Sequence, residues 1–153
     1  MKRLELKIPP VAVLLLCGGG MWLLSSLVPE LSFDFPVRKM LSVIAVVAGL
    51  GIGVAGIIAF RAARTTFDPR YPDKASSVVR TGVYRHSRNP MYVGLLLALL
   101  GWAIYLANPL SLIGLPAFVL YMNRFQIQPE ERALKEGFGD EYRAYLNDVR
   151  RWI

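Results

Sequence analysis

The chain has 153 residues, 54% of them hydrophobic, with a formal net charge of +7 and a mean hydropathy of +0.40. That length sets a single domain, 1–153, as the expectation, and the hydropathy is high for a soluble domain of this size. A net basic charge is compatible with nucleic acid, but the Lys and Arg here flank long uncharged blocks, a pattern that excludes nucleic acid as the partner and points to membrane lipids.

Lys2, Arg3 and Lys7 precede an uncharged run over 11–28. This resembles the start of a secretory leader, but no Ala-x-Ala follows, and Leu16 before Cys17 is too bulky for a lipoprotein cleavage site. The run is expected to be a retained first span. Cys17 is the sole cysteine, so no disulfide framework can form. A second uncharged run covers about 40–60 and holds Gly49, Gly51, Gly53 and Gly56; the Gly49/Gly53 spacing suits close helix packing, expected within the chain rather than at a dimer seam. Phe67 to Ser77, with two Pro, reads as irregular loop.

The third uncharged stretch runs from Met91 to Asn123. As one helix it would reach about 50 Å, against roughly 30 Å of hydrocarbon. Asn108-Pro109 is the expected turn, because Pro disfavours helix in the residue before it. Spans over about 91–107 and 110–127 follow, with a bend at Pro116 and Arg124 snorkelling or facing protein. In the tail, Pro129 suits a first helical position, and Glu130 and Glu131 suit the positive end of a helix dipole. Gly137 and Gly139 are expected to break that helix, and Asp140 to cap a second one. Its stripe would be Tyr142, Tyr145, Leu146, Val149 and Ile153, with Arg143, Arg150 and Arg151 on the surface. The fold class is therefore an all-α integral membrane protein with four transmembrane helices and short cytosolic C-terminal helices.

With four spans, 16 of the 18 Lys and Arg collect on one side, and only Arg38 and Lys39 fall on the other. By the positive-inside rule the crowded side is cytoplasmic, which places both termini there, in the inner or plasma membrane if the source is bacterial. Two polar clusters share that side. Thr81 to Gly94 carries Tyr84, Arg85, His86, Arg88, Asn89, Pro90 and Tyr92; Pro129 to Tyr145 carries Glu130 and Glu131. Each has an ordinary explanation: Arg and Tyr anchor spans at headgroups, and acids sit at helix starts. Each also suits a cofactor site, with Arg88, Asn89 and the backbone around Pro90 binding a polar end and a carboxylate pairing with a cation or accepting from a ribose. A lone His86 cannot build a His-based metal site, so no metal is expected.

Taken together, Gly82, Tyr84, Arg88, Asn89, Pro90, Tyr92 and Gly94, then Glu130, Glu131, Leu134, Phe138, Gly139, Tyr142 and Tyr145, resemble the isoprenylcysteine carboxyl methyltransferase and phospholipid methyltransferase families. The resemblance covers about Thr81 to Ile153. It departs from the family pattern at Asn89, where His is usual; Asn donates and accepts hydrogen bonds but cannot act as a base. The resemblance implies S-adenosylmethionine as cofactor, held by Tyr84, Arg88, Asn89, Pro90, Tyr92, Gly94, Glu130 and Glu131, with Arg88 and Glu131 in the catalytic roles. It further implies a lipophilic methyl acceptor, prenylcysteine carboxylate-like or phospholipid amine-like, entering from the bilayer, with no obligate protein partner. Two alternatives stay open: an NADPH-dependent sterol-type membrane reductase, and a non-enzymatic four-helix membrane protein.

Overall fold

The computed structural model describes residues 5–63 and 78–153, and among them every regular element is helical. Helix α1 is Pro10–Leu27, α2 Arg38–Ala62, α3 Pro90–Leu106, α4 Gly114–Met122 and α5 Gln128–Asp148. A π-helical segment, Asn123–Ile127, joins α4 to α5 without a break. Helices α1 and α2 and the helical run Pro109–Asp148 are long and apolar enough to cross a membrane, and α3 is a shorter apolar helix of 17 residues. The loop expected over Phe67–Ser77 lies outside the described residues.

The side chains are arranged as a membrane protein requires. Helix α2 turns Val43, Ile44, Val47, Leu50, Val54 and Ile58 outward, each more than half exposed. Its buried positions are Ser42, Gly49 and Gly56, seven residues apart. Large apolar groups therefore face outward and small ones face protein, which is efficient only where the surroundings are hydrocarbon. Helix α3 runs antiparallel to α2 along this stripe. A Cβ built on Gly94 would lie 2.5 Å from the Gly49 carbonyl oxygen, and one on Gly101 would lie 2.8 Å from the Ser42 carbonyl oxygen. The backbones thus approach closely enough that no side chain fits between them. The intramolecular role expected for Gly49 is borne out.

On its other side α3 meets α1, where the Trp102 indole donates to the Gly18 carbonyl at 3.0 Å. Helix α1 also receives α4: a Cβ on Gly114 would collide with the Met21 side chain. Met21, Leu99, Phe118, Met122 and Ile127 form the core, all at 2% exposure or less.

The turn at Asn108 forms as expected. Ala107 takes a left-handed conformation (φ 47°) that ends α3, and the Asn108 side chain accepts from Leu110 N at 3.0 Å. Its amide also donates to Val28 O and Ser32 Oγ, tying this turn to the connection between α1 and α2. Pro116 lies in the first turn of α4, which runs directly out of a 3-10 turn over Pro109–Ile113. Gly139 breaks α5 as expected (φ 53°, ψ −124°), whereas Gly137 stays helical. The helix stops at Asp148 and Val149 is extended, so Ile153 does not continue the Tyr142/Tyr145 stripe.

Replacing Gly94 by Val should destabilise the purified protein by about 1–3 kcal/mol, the usual cost of overpacking. Gly51→Val should leave the melting temperature nearly unchanged, because nothing lies within 4 Å of a Cβ there. Thermal melts of both variants in one detergent check this.

Candidate functional site

The first cluster is shaped by its backbone. Gly82 has φ 59°, which starts a 3-10 turn over Gly82–Arg85. Asn89 precedes α3 and Pro90 opens it, so no helical hydrogen bond is lost there. The Ser87 hydroxyl oxygen accepts from Asn89 N at 3.1 Å, bending the chain into the helix.

The second cluster lies opposite. Because the π segment leads directly into α5, Glu130 and Glu131 do not sit at a free helix end. The helix-dipole explanation for the two acids therefore falls away, since the N–H groups before them are already bonded within the helix. Glu131 is 7% exposed. Arg88 Nη2 lies 3.2 Å from its Oε1. Arg151 grips the same carboxylate in bidentate fashion, with Nε to Oε1 at 3.1 Å and Nη2 to Oε2 at 2.7 Å. That hydrogen bonding pushes the Arg151 pKa up further, so its charge is permanent.

The stretch after α5 completes the arrangement. Arg88 N donates to Arg150 O at 3.0 Å. The Asn89 side-chain amide donates to Arg151 O at 2.8 Å. Trp152 Nε1 donates to Asn123 Oδ1 in the π segment at 3.0 Å. Arg88 also reaches Leu146 O through Nη1 at 3.1 Å. Its Nε is buried without a hydrogen-bond partner among the described residues.

Glu130 stands apart from this network. The Tyr92 hydroxyl donates to its Oε1 at 2.5 Å. Burial pushes the Glu130 carboxyl up to about 8; the Tyr92 hydrogen bond opposes this and the neighbouring Glu131 adds to it. Since the folded pKa lies above the ordinary value, folded protein binds the proton more tightly than unfolded chain. Stability therefore falls as pH rises from the usual carboxylate range to about 8, then levels off. The Tyr145 phenol is pushed up to about 12, and the Tyr84 and Tyr142 phenols rise too, first through burial. All three remain hydrogen-bond donors at ordinary pH.

The structure thus brings Arg88, Asn89, Tyr92, Glu130 and Glu131 to one end of the bundle. Tyr84 contributes its carbonyl, which accepts from the Tyr145 hydroxyl at 2.8 Å, while its ring packs edge-on against Phe60 of α2. Pro90 is buried beside Gly56, and Gly94 is the contact point with α2 rather than part of the cluster. His86 is exposed. Sequence reasoning placed Arg151 on the surface, but the structure folds it back onto Glu131, because the chain leaves the helix at Val149. Arg124 does face protein, at 3.3 Å from Glu5, which also meets Arg132 at 2.5 Å. Gln126 was passed over, although a polar side chain inside an apolar run was a signal.

A family model described as phospholipid methyltransferase matches residues 37–141. An uncharacterised protein of Haemophilus influenzae is 51% identical over 63 residues, covering 41% of this chain and all of that protein. Protein-S-isoprenylcysteine O-methyltransferase of Saccharomyces cerevisiae is 40% identical over 75 residues, 47% of this chain and 30% of the yeast protein. A probable protein-S-isoprenylcysteine O-methyltransferase of Oryza sativa subsp. japonica is also 40% identical over 75 residues, and the match covers 38% of that protein. The chain therefore aligns with about a third of the length of these two methyltransferases. No solved structure matches the chain.

Arg151→Ala should lower stability by about 1–3 kcal/mol, since it removes two charge-assisted bonds from a buried carboxylate. On a Glu131→Gln background the same change should cost much less, because the partner charge has gone. Arg143→Ala, which loses only an exposed pair with Asp140, should change stability by less than about 0.5 kcal/mol. Chemical unfolding of the four variants measures this.

Proposed function

The chain belongs to the phospholipid methyltransferase family, and on that premise we propose that it transfers the methyl group of S-adenosylmethionine to a lipophilic acceptor at the cytosolic face of a membrane. Of the readings left open by the sequence, this is the one the family match supports. The observations that carry the donor site are a buried Arg88 Nε without a partner among the described residues and a second acid, Glu130, that is bonded there to the Tyr92 hydroxyl and to no arginine.

These residues fit the donor's amino-acid end. Arg88 Nε suits its carboxylate, and Glu130, once ionised, suits its ammonium. When bound, S-adenosylmethionine supplies an electrophilic methyl on a sulfonium, and the positive charge on sulfur is discharged as that carbon passes to the acceptor's nucleophile. The protein's part is to bind, align and keep water out. Tyr92 orients Glu130 through its hydrogen bond. Glu131, gripped by Arg88 and Arg151, holds Arg88 in place and so acts on the ligand through it. Asn89 spends its amide donor on Arg151 O, which is a bracing role and needs no titratable group.

Lipid access fits the surroundings. Helix α3 carries Tyr92 at its first turn and then continues as an apolar helix. An acceptor with an apolar tail would lie along such helices with its polar end at the height of Tyr92. A carboxylate acceptor would need no base, whereas an amine would first have to lose its proton.

Radiolabelled methyl transfer by the purified chain should reach prenylcysteine analogues or phosphatidylethanolamine and bypass soluble amines. Transfer to soluble amines alone would overturn the lipophilic assignment. Calorimetric titration with S-adenosylhomocysteine near pH 7, in buffers of different ionisation enthalpy, should show about one proton released from Glu130, whose carboxyl titrates near 8. Glu130→Gln should release none. Equal proton counts would remove Glu130 from the site.

A further inference from the structure

The π segment holds a polar group to which the arrangement above gives no role. Gln126 is 1% exposed. Its Nε2 donates to the Ile8 carbonyl at 2.6 Å. Its Oε1 is buried with no hydrogen-bond partner among the described residues. The orientation of the amide is fixed, because a flipped side chain would set two oxygens against each other at Ile8. The stretch before α1 holds this segment firmly: Leu6 N donates to Phe125 O at 3.0 Å, and Glu5 pairs with Arg124 and Arg132.

A buried amide oxygen without a donor destabilises the fold, and such atoms are rare unless water or a ligand meets them. Gln126 lies four residues before Glu130 in one continuous helix, so the two side chains share a face, one turn apart. Glu131, on the adjacent face, is already held by Arg88 and Arg151. A π turn inside an α-helix re-aims side chains and often marks a functional site.

We propose that Gln126 is a binding residue of the donor site: its Oε1, together with the Glu130 carboxylate, accepts hydrogen bonds from a ligand ammonium. An ammonium has three N–H donors and no acceptor, so a carboxylate beside an amide oxygen matches it. The assignment rests on the methyl-donor reading given above.

The test uses the full-length chain in detergent. Its two glutamines are Gln126 and Gln128, so selective nitrogen-15 labelling of glutamine yields two side-chain amide nitrogen signals. The one that vanishes in Gln126→Met belongs to Gln126. In the wild-type protein that signal should shift to saturation with S-adenosylhomocysteine. It should stay in place with methylthioadenosine, which lacks the amino-acid arm. Gln126→Met should bind S-adenosylhomocysteine roughly tenfold or more weakly, with methylthioadenosine affinity kept within about twofold. A Gln126 signal indifferent to bound S-adenosylhomocysteine would mean that the oxygen only holds water, and would overturn the assignment. Equal loss of both affinities in the variant, with no wild-type shift, would do the same. Failure of the wild type to bind either compound would instead remove the donor reading itself, and this assignment with it.

Discussion

Glu131 is a carboxylate at 7% exposure, in a helix that continues directly out of an apolar run. An uncompensated charge in such a place would cost several kcal/mol, so the fold must bring cations to it. It brings two, Arg88 from the segment before α3 and Arg151 from the stretch after α5. Satisfying one buried charge therefore draws three distant parts of the chain together. The neighbouring contacts follow from it. Once Arg88 and Arg151 are fixed, Arg150 O lies where Arg88 N can donate and Arg151 O where Asn89 can. The reverse order fails, because a few neutral hydrogen bonds could not hold an unpaired buried carboxylate in place.

The same constraint separates the roles of the two acids. A carboxylate with bidentate contact to one guanidinium and a third contact to another has little capacity left for a ligand. Glu130 has a tyrosine hydroxyl in place of an arginine, and its raised pKa reflects that. Side by side in sequence, the acids differ by one helical step of about 100°, enough to turn one toward Arg88 and Arg151 and the other toward Tyr92.

The spans were legible from uncharged blocks alone, and the turn at Asn108 from a length argument. Hydrocarbon leaves few options for a long apolar run, so the pattern is decisive there. The close packing of Gly49 was legible for the same reason: in a membrane, small residues in a helix mark a protein-facing surface. Pairing of the two polar clusters followed from their common side and from the resemblance. What stayed hidden depends on where the chain leaves a helix. Sequence periodicity continued the last helix to Ile153, and on that continuation Arg151 points to solvent. The extended conformation at Val149 reverses it. The π segment was equally hidden, since one extra residue in a helical turn leaves no compositional trace. Without it Glu130 and Glu131 look like ordinary acids at a helix start, and Gln126 looks like an isolated polar residue.

On the proposed function, Arg88 and Glu130 meet the methyl donor while Glu131 stays bound to Arg151. A structure of the chain in complex with S-adenosylhomocysteine would show this, with the ligand's amino-acid end between Arg88 Nε and Glu130 and both Arg151–Glu131 hydrogen bonds intact. A complex in which the ligand displaces Arg151 from Glu131, or lies away from both Arg88 and Glu130, would contradict it.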